Sequence, residues 1–248
     1  MHSNMNTNFI ISSLPKYDDY IDCMVAFVDI LGFDSLSRNI QSEDDFNKIG
    51  NLLYKLKETA KHFDVEDTLF RNLNVTAISD SLIFTMPFHD PNSSPTTLAL
   101  ILHWIQYMLL VSDEKLIRGY MTRGRVYHKD NIVFGMGYSE AYRKEKEIGH
   151  APRIVIDPSL VKEAEAAILK ANFPDHILNY IIQDSCDGYY FIDYLKPVGI
   201  QAEIKKEQRD KIKIFVQAKV RTYSDNEKIL RKYNWLSNYF SLTDRYYE

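Results

Sequence analysis

Apolar and polar positions fall into blocks whose period switches between two and 3.6 residues. Residues 24–28 are a continuous apolar run ending at Asp29, the pattern of a strand buried on both faces. Ser42 then opens a helix, with Glu43, Asp44 and Asp45 in its positive first turn. Phe46, Ile49, Leu53, Leu56 and Ala60 recur at helical spacing, which predicts an inward face. Segments 69–78 and 82–86 read as a hairpin with Ser79 and Asp80 near its turn, and 87–95 as a loop rich in Asn, Ser and Pro. An apolar helix is predicted over 96–111, and a strand with two glycines over 117–127. Asp130-Asn131 marks a turn into a short returning strand, 132–134. Gly135 and Gly137 lead into a charged helix, 138–148; a strand at 154–156 and a helix at 158–169 follow. After a strand over 189–195 only helix is visible, at 200–220 and 225–239.

Strand, helix, hairpin, helix, hairpin describes an α/β (α+β) fold: a ferredoxin-like core with a mixed, largely antiparallel sheet, plus C-terminal helices. The expected organisation is a loose arm at 1–14, a catalytic domain at 15–196 and a helical extension at 197–248.

With 248 residues there is enough chain for one large domain. A net charge of −4 argues against non-specific nucleic-acid binding, which usually needs a basic field. The two cysteines, Cys23 and Cys186, lie far apart in sequence and read as reduced thiols rather than a disulfide or metal pair. No apolar run reaches the roughly 18 residues of a membrane span, and the polar N-terminus lacks a secretory pattern. The expectation is a soluble, cytoplasmic protein without membrane insertion.

The candidate chemistry begins with two carboxylates where buried strands run out, Asp29 and Asp80. If neighbouring strands bring them together, they form a hard-oxygen site suited to Mg²⁺ or Mn²⁺. Taken by itself, Asp29 also fits a turn or cap. Gly32, three residues after Asp29, can open a turn whose backbone N–H groups face phosphate. Ser139 and Arg143 share a helix face, where an arginine can hold charge on a transferring phosphoryl group or simply pair with Glu140 or Glu147. Arg118 faces opposite to Arg123 and Arg125 on one strand, so only one set can serve a triphosphate. His150 reads as a loop histidine, the lysines of 200–220 as a solvated face, and Trp235 with Leu236, Tyr239 and Phe240 as core or dimer contact.

Val28-Asp29-Ile30-Leu31-Gly32-Phe33, Ile78-Ser79-Asp80-Ser81, Arg118-Gly119 and Gly135…Ser139…Arg143 together resemble class III nucleotidyl cyclases over roughly 24–157. In overall character the chain is most similar to the bacterial pyrimidine cyclases of Pycsar anti-phage defence. The resemblance implies that Asp29, Ile30 and Asp80 hold two divalent ions, Mn²⁺ or Mg²⁺. It implies that Gly32, Phe33 and Arg118 contact substrate, and that Arg143 and Ser139 stand at the catalytic Arg and Asn positions. It further implies a homodimer with shared active sites, in which Arg143 serves the partner's metal site, and a downstream cyclic-nucleotide-binding effector.

Thr76 and Ile132 fall where adenylate-specific members carry Lys and Asp. A base edge left without its partners costs about 1–3 kcal/mol per missing bond. The implied reaction is therefore cyclisation of UTP or CTP to the 3′,5′-cyclic monophosphate with release of pyrophosphate. The alternatives are a catalytically weak nucleotide-binding dimer and a purine cyclase.

Overall fold

The computed structural model describes residues 14–62, 73–170, 175–198 and 201–246, with side chains of 57–62 and 201–206 excluded. Expectations for the arm before Leu14, for residues 69–72 and for Ala60 lie outside these.

The apolar run becomes β1, Ile21–Ile30, whose residues 23–28 are all buried. It lies between β3 (Ser81–Pro87) and β4 (Ile117–Lys129), antiparallel to both. With β2 (Asn74–Ile78) at the edge, the first four strands stand in the order β2-β3-β1-β4, the ferredoxin-like arrangement. β6 (Ile154–Ile156) extends the sheet in parallel with β4, and β8 (Tyr190–Ile192) and β7 (Ile181–Gln183) complete the path. β5 (Ile132–Gly135) folds back on the far end of β4 through Asp130 and Asn131, which both take positive φ, as a tight hairpin turn requires. The eight-stranded sheet is mixed and mostly antiparallel, as the pattern predicts.

The helices divide unequally between the two faces. Even residues of β1 (Met24, Ala26, Val28, Ile30) enter the main core with α2 (Glu43–His62), α3 (Ser93–Asp113), α5 (Pro158–Lys170), α6 (Gln201–Thr222) and α7 (Glu227–Leu242). Odd residues Cys23, Val25 and Phe27 form a smaller cluster with Ala141 of α4 (Met136–Ile148). α4 sits close because two glycines meet: a Cβ on Gly124 would come within 2.8 Å of the Gly137 Cα.

Several expectations are corrected. A short helix absent from the pattern, α1 (Phe33–Arg38), follows Gly32, and β7 was also missed, because three or six residues carry too little periodicity. The strand expected over 189–195 shrinks to β8; Tyr194 and Leu195 beyond it are buried by the helices rather than by pairing. Phe46 is 63% exposed, since the packing stripe of α2 runs through Leu52 and Leu56. α3 is long and apolar enough to cross a membrane, contrary to the count of apolar runs, yet most of it is buried inside the protein. It supplies Leu98, Ile101, Leu102 and Ile105 to the core. The C-terminal helices join that core through Ile212, Val216, Leu236, Tyr239 and Phe240.

Candidate active site

Asp29 lies on the α4 face of the sheet, paired across the strands with Ser81 on one side and Arg118 on the other. Asp80 occupies the β2–β3 turn, where Ser79 takes φ 55° and the Asp80 carbonyl accepts the Ile30 N–H at 3.0 Å. Two distant segments are thereby stitched together, and the carboxyls of Asp29 and Asp80 come close enough to share a hydrogen bond. Burial raises the Asp29 pKa, the Arg118 charge lowers it, and Asp80 raises it again, with a net upward shift. Two carboxylates held together in a half-buried position favour a proton or a cation between them. Their oxygen chemistry fits a divalent ion of the Mg²⁺ class. The side chain of Ile30 is core, so only its backbone carbonyl is left to contribute.

Arg118 Nε donates to Asp29 Oδ2 at 3.0 Å, and its Nη1 donates to the Gly149 carbonyl at 2.8 Å. The same Nε lies 2.7 Å from Glu145 Oε1, a carboxylate of α4 whose side chain is 1% exposed. Burial raises the Glu145 pKa and Arg118 opposes it. Glu145 was missed because it sits in the charged stretch 143–147, which reads as a solvated face. Its signal is position: four and eight residues after Ala141 and Gly137, it belongs to the helix stripe that meets the sheet.

Gly32 takes φ 84°, a left-handed conformation that favours glycine, and turns the chain from β1 into α1. Phe33 buries its ring in the core, leaving only its backbone for any ligand. Ser139 and Arg143 are both exposed on the outer side of α4. Arg143 pairs with Glu140 at 2.7 Å and also with Glu147, so within one chain it does not join Asp29 and Asp80.

Thr76 is buried, with Oγ1 2.8 Å from His128 Nε2, while Thr85 Oγ1 is 2.7 Å from His128 Nδ1. Burial pushes the His128 pKa down to about 4, so its ring is neutral at pH 7. Sequence reasoning did not single out this histidine; its strand position between Tyr127 and Lys129 gives no chemical signal. Ile132 lies on β5 beside Lys129, one pair along from His128, and is 48% exposed. Thr76 thus touches His128, while Ile132, paired with Lys129, sits on the opposite face of the β4–β5 pair. His150 is exposed, and its backbone N–H bonds the Ile148 carbonyl at 2.7 Å. Both cysteines are free, and burial pushes the Cys23 thiol up to about 12.

No protein-family model matches the chain, and no curated protein does either. Among solved structures, the adenylyl cyclase CyaB from P. aeruginosa is 15% identical, with 69% of this chain and 93% of that one covered and a TM-score of 0.49. The guanylyl cyclase domain of the RhoGC fusion protein from Blastocladiella emersonii is 17% identical over 70% and 95%, with a TM-score of 0.49. The guanylate cyclase domain of RhGC from Catenaria anguillulae, in complex with GTP, is 16% identical over 70% and 96%, with a TM-score of 0.47. Likeness at this level says nothing of the reaction, and the fold stands on the strand order itself.

Proposed function

We propose that this protein is a class III nucleotidyl cyclase that converts a pyrimidine nucleoside triphosphate, UTP or CTP, into its 3′,5′-cyclic monophosphate and pyrophosphate. The observation that carries the reading is the meeting of Asp29 and Asp80 at one end of the sheet, with Arg118 beside them. Asp29 and Asp80, with the Ile30 carbonyl, would hold Mn²⁺ or Mg²⁺, two ions per site. Bound there, such ions neutralise triphosphate charge and acidify the ribose 3′-hydroxyl. Arg118 keeps the Asp29 carboxylate oriented, and Glu145 in turn holds Arg118. The turn at Gly32 and Phe33 has no side-chain cap on its backbone N–H groups, which supports a phosphate contact there.

Ser139 and Arg143 act from a second copy of the chain, Arg143 on charge developing at the α-phosphoryl group. A homodimer is favoured by Ile132, Phe134, Met136 and Tyr142, large apolar side chains left exposed along β5 and α4. Thr76 and Ile132 offer neither the ammonium nor the carboxylate that would read adenine, which favours a pyrimidine. The role in anti-phage defence, the cytoplasmic location and the effector that binds the product rest on the sequence resemblance alone, as does a catalytic unit at 15–196 with a helical extension.

The test is to supply purified protein and Mn²⁺ with each of the four nucleoside triphosphates separately. The expected outcome is pyrophosphate and a cyclic product from UTP or CTP, lost in Asp29→Ala. Turnover of ATP or GTP alone overturns the base assignment, and unchanged activity in Asp29→Ala overturns the mechanism. A second reading, a nucleotide-binding dimer without catalysis, is favoured by Ser139 at the Asn position and by the pairing of Arg143 with its own helix. It predicts metal-dependent triphosphate binding without pyrophosphate release.

A further inference from the structure

Arg118 Nε carries one hydrogen and stands between two carboxylates. The hydrogen is aimed at Asp29 Oδ2, 3.0 Å away. Glu145 Oε1 lies closer, at 2.7 Å, yet it accepts no hydrogen bond among the described residues. That oxygen is buried, on a side chain only 1% exposed, and a charged acceptor left unmet in such a place is costly. The other end of the guanidinium is fixed beside it. Nη1 donates to the Gly149 carbonyl at 2.8 Å, and the Gly149 N–H bonds the Glu145 carbonyl at 2.7 Å. Gly149 can lie this close because it has no side chain: a Cβ there would come within 3.0 Å of Glu145 Oε1. The anchor of Arg118 and its second acceptor thus belong to one helix end.

We propose that Glu145 is a positioning residue that takes over Arg118 when a divalent cation occupies the Asp29–Asp80 site. The Nε–H turns from Asp29 Oδ2 to Glu145 Oε1, and the Asp29 oxygen that it leaves is freed to hold the cation. The reason is charge. While the site is empty, the two adjoining carboxyls attract the guanidinium; once a cation meets their charge, its repulsion and the unmet Glu145 oxygen both favour the turn. Without Glu145, Arg118 stays on Asp29 and competes with the cation for it. The proposal rests on the cation site of the cyclase reading and deepens it.

The experiment measures Mn²⁺ binding to the full chain by calorimetry. Glu145→Met removes the acceptor and Glu145→Gln keeps an uncharged one. Each is made alone and together with Arg118→Met, and Asp29→Asn is the control. Glu145→Met should bind Mn²⁺ about tenfold more weakly, as loss of a charge-assisted bond implies, and Glu145→Gln should lie between it and the unmodified protein. With Arg118→Met in place, Glu145→Met should change the affinity by no more than about twofold, since no guanidinium is left to hand over. Equal losses in Glu145→Met and Glu145→Gln, or the same loss with and without Arg118, overturn the proposal and leave a plain effect of charge. An affinity not lowered in Glu145→Met overturns it too, and the cyclase reading stands where Asp29→Asn abolishes binding. Absence of Mn²⁺ binding by the unmodified protein overturns both.

Should a variant not fold, a crystal structure of the unmodified protein with Mn²⁺ bound decides the matter. Arg118 Nε should then donate to Glu145 and no longer to Asp29, and an Nε–H still bonded to Asp29 beside the ion overturns the proposal.

Discussion

At the scale of single residues the site depends on one arginine shared by two carboxylates. Removing Arg118 would leave the buried Glu145 and the part-buried Asp29 unneutralised, so Arg118→Ala should lower stability by about 3 kcal/mol. Glu145→Gln should cost less, about 1–2 kcal/mol, because the amide keeps an acceptor for Arg118; denaturant melts of both variants check the order. His128 makes a prediction with a defined pH window. Its folded pKa of about 4 lies below the ordinary 6.5, so the unfolded chain binds the extra proton more readily. Stability is then complete above about 6.5 and falls as pH drops toward 4. The expected loss is about 1–2 kcal/mol after allowance for solvent screening. Melting temperature against pH should show this slope, and it should be absent in His128→Asn. Asp29 and Asp80 were legible in the sequence because a carboxylate ending a core strand has no packing reason to be there. Glu145 and His128 were not, because each is ordinary in its own segment and acquires meaning only from neighbours more than 25 residues away.

At the scale of elements, the position of α4 follows from glycine. A Cβ on Gly137 would lie 2.9 Å from Val25 Cγ2 and 3.0 Å from the Gly124 carbonyl oxygen. Gly137→Ala should therefore push the start of α4 off the sheet and displace Ser139. The expected result is a loss of about 1–3 kcal/mol in stability with a larger proportional loss of the proposed cyclase activity, measured on the same preparation. Leu236 anchors α7 by filling the core, and Leu236→Ala should cost about 3 kcal/mol by thermal melting. Long elements with a clear period were predicted to within a few residues: β4, α4 and α5 extend by two residues or fewer beyond their sequence-based ends. Short ones such as α1 and β7 were lost, since fewer than two turns or three strand residues show no repeat.

At the scale of the whole molecule, the cyclase proposal requires two copies to meet. Arg143 and Ser139 are exposed on α4, while Asp29 and Asp80 come together where β1 ends and the β2–β3 turn begins. If each site takes residues from both copies, Asp29→Ala and Arg143→Ala should both be inactive alone. Mixed and allowed to exchange, they should recover roughly a quarter of the normal rate. Half the dimers are then mixed, and each has one intact site of two. No recovery, in a mixture shown by sedimentation to exchange, would place the arginine's role within its own chain.

Periodicity, turn residues and misplaced carboxylates were enough to determine an α/β chain with a ferredoxin-like core and to single out Asp29 and Asp80. These are local properties, encoded in residues a few positions apart. The meeting of the two carboxyls, the burial of Glu145 against Arg118 and the neutral His128 between two threonines were decided by tertiary structure. Each joins strands or helices distant in sequence, and strand register, which a one-residue slip would invert, is set by the packing of the whole sheet.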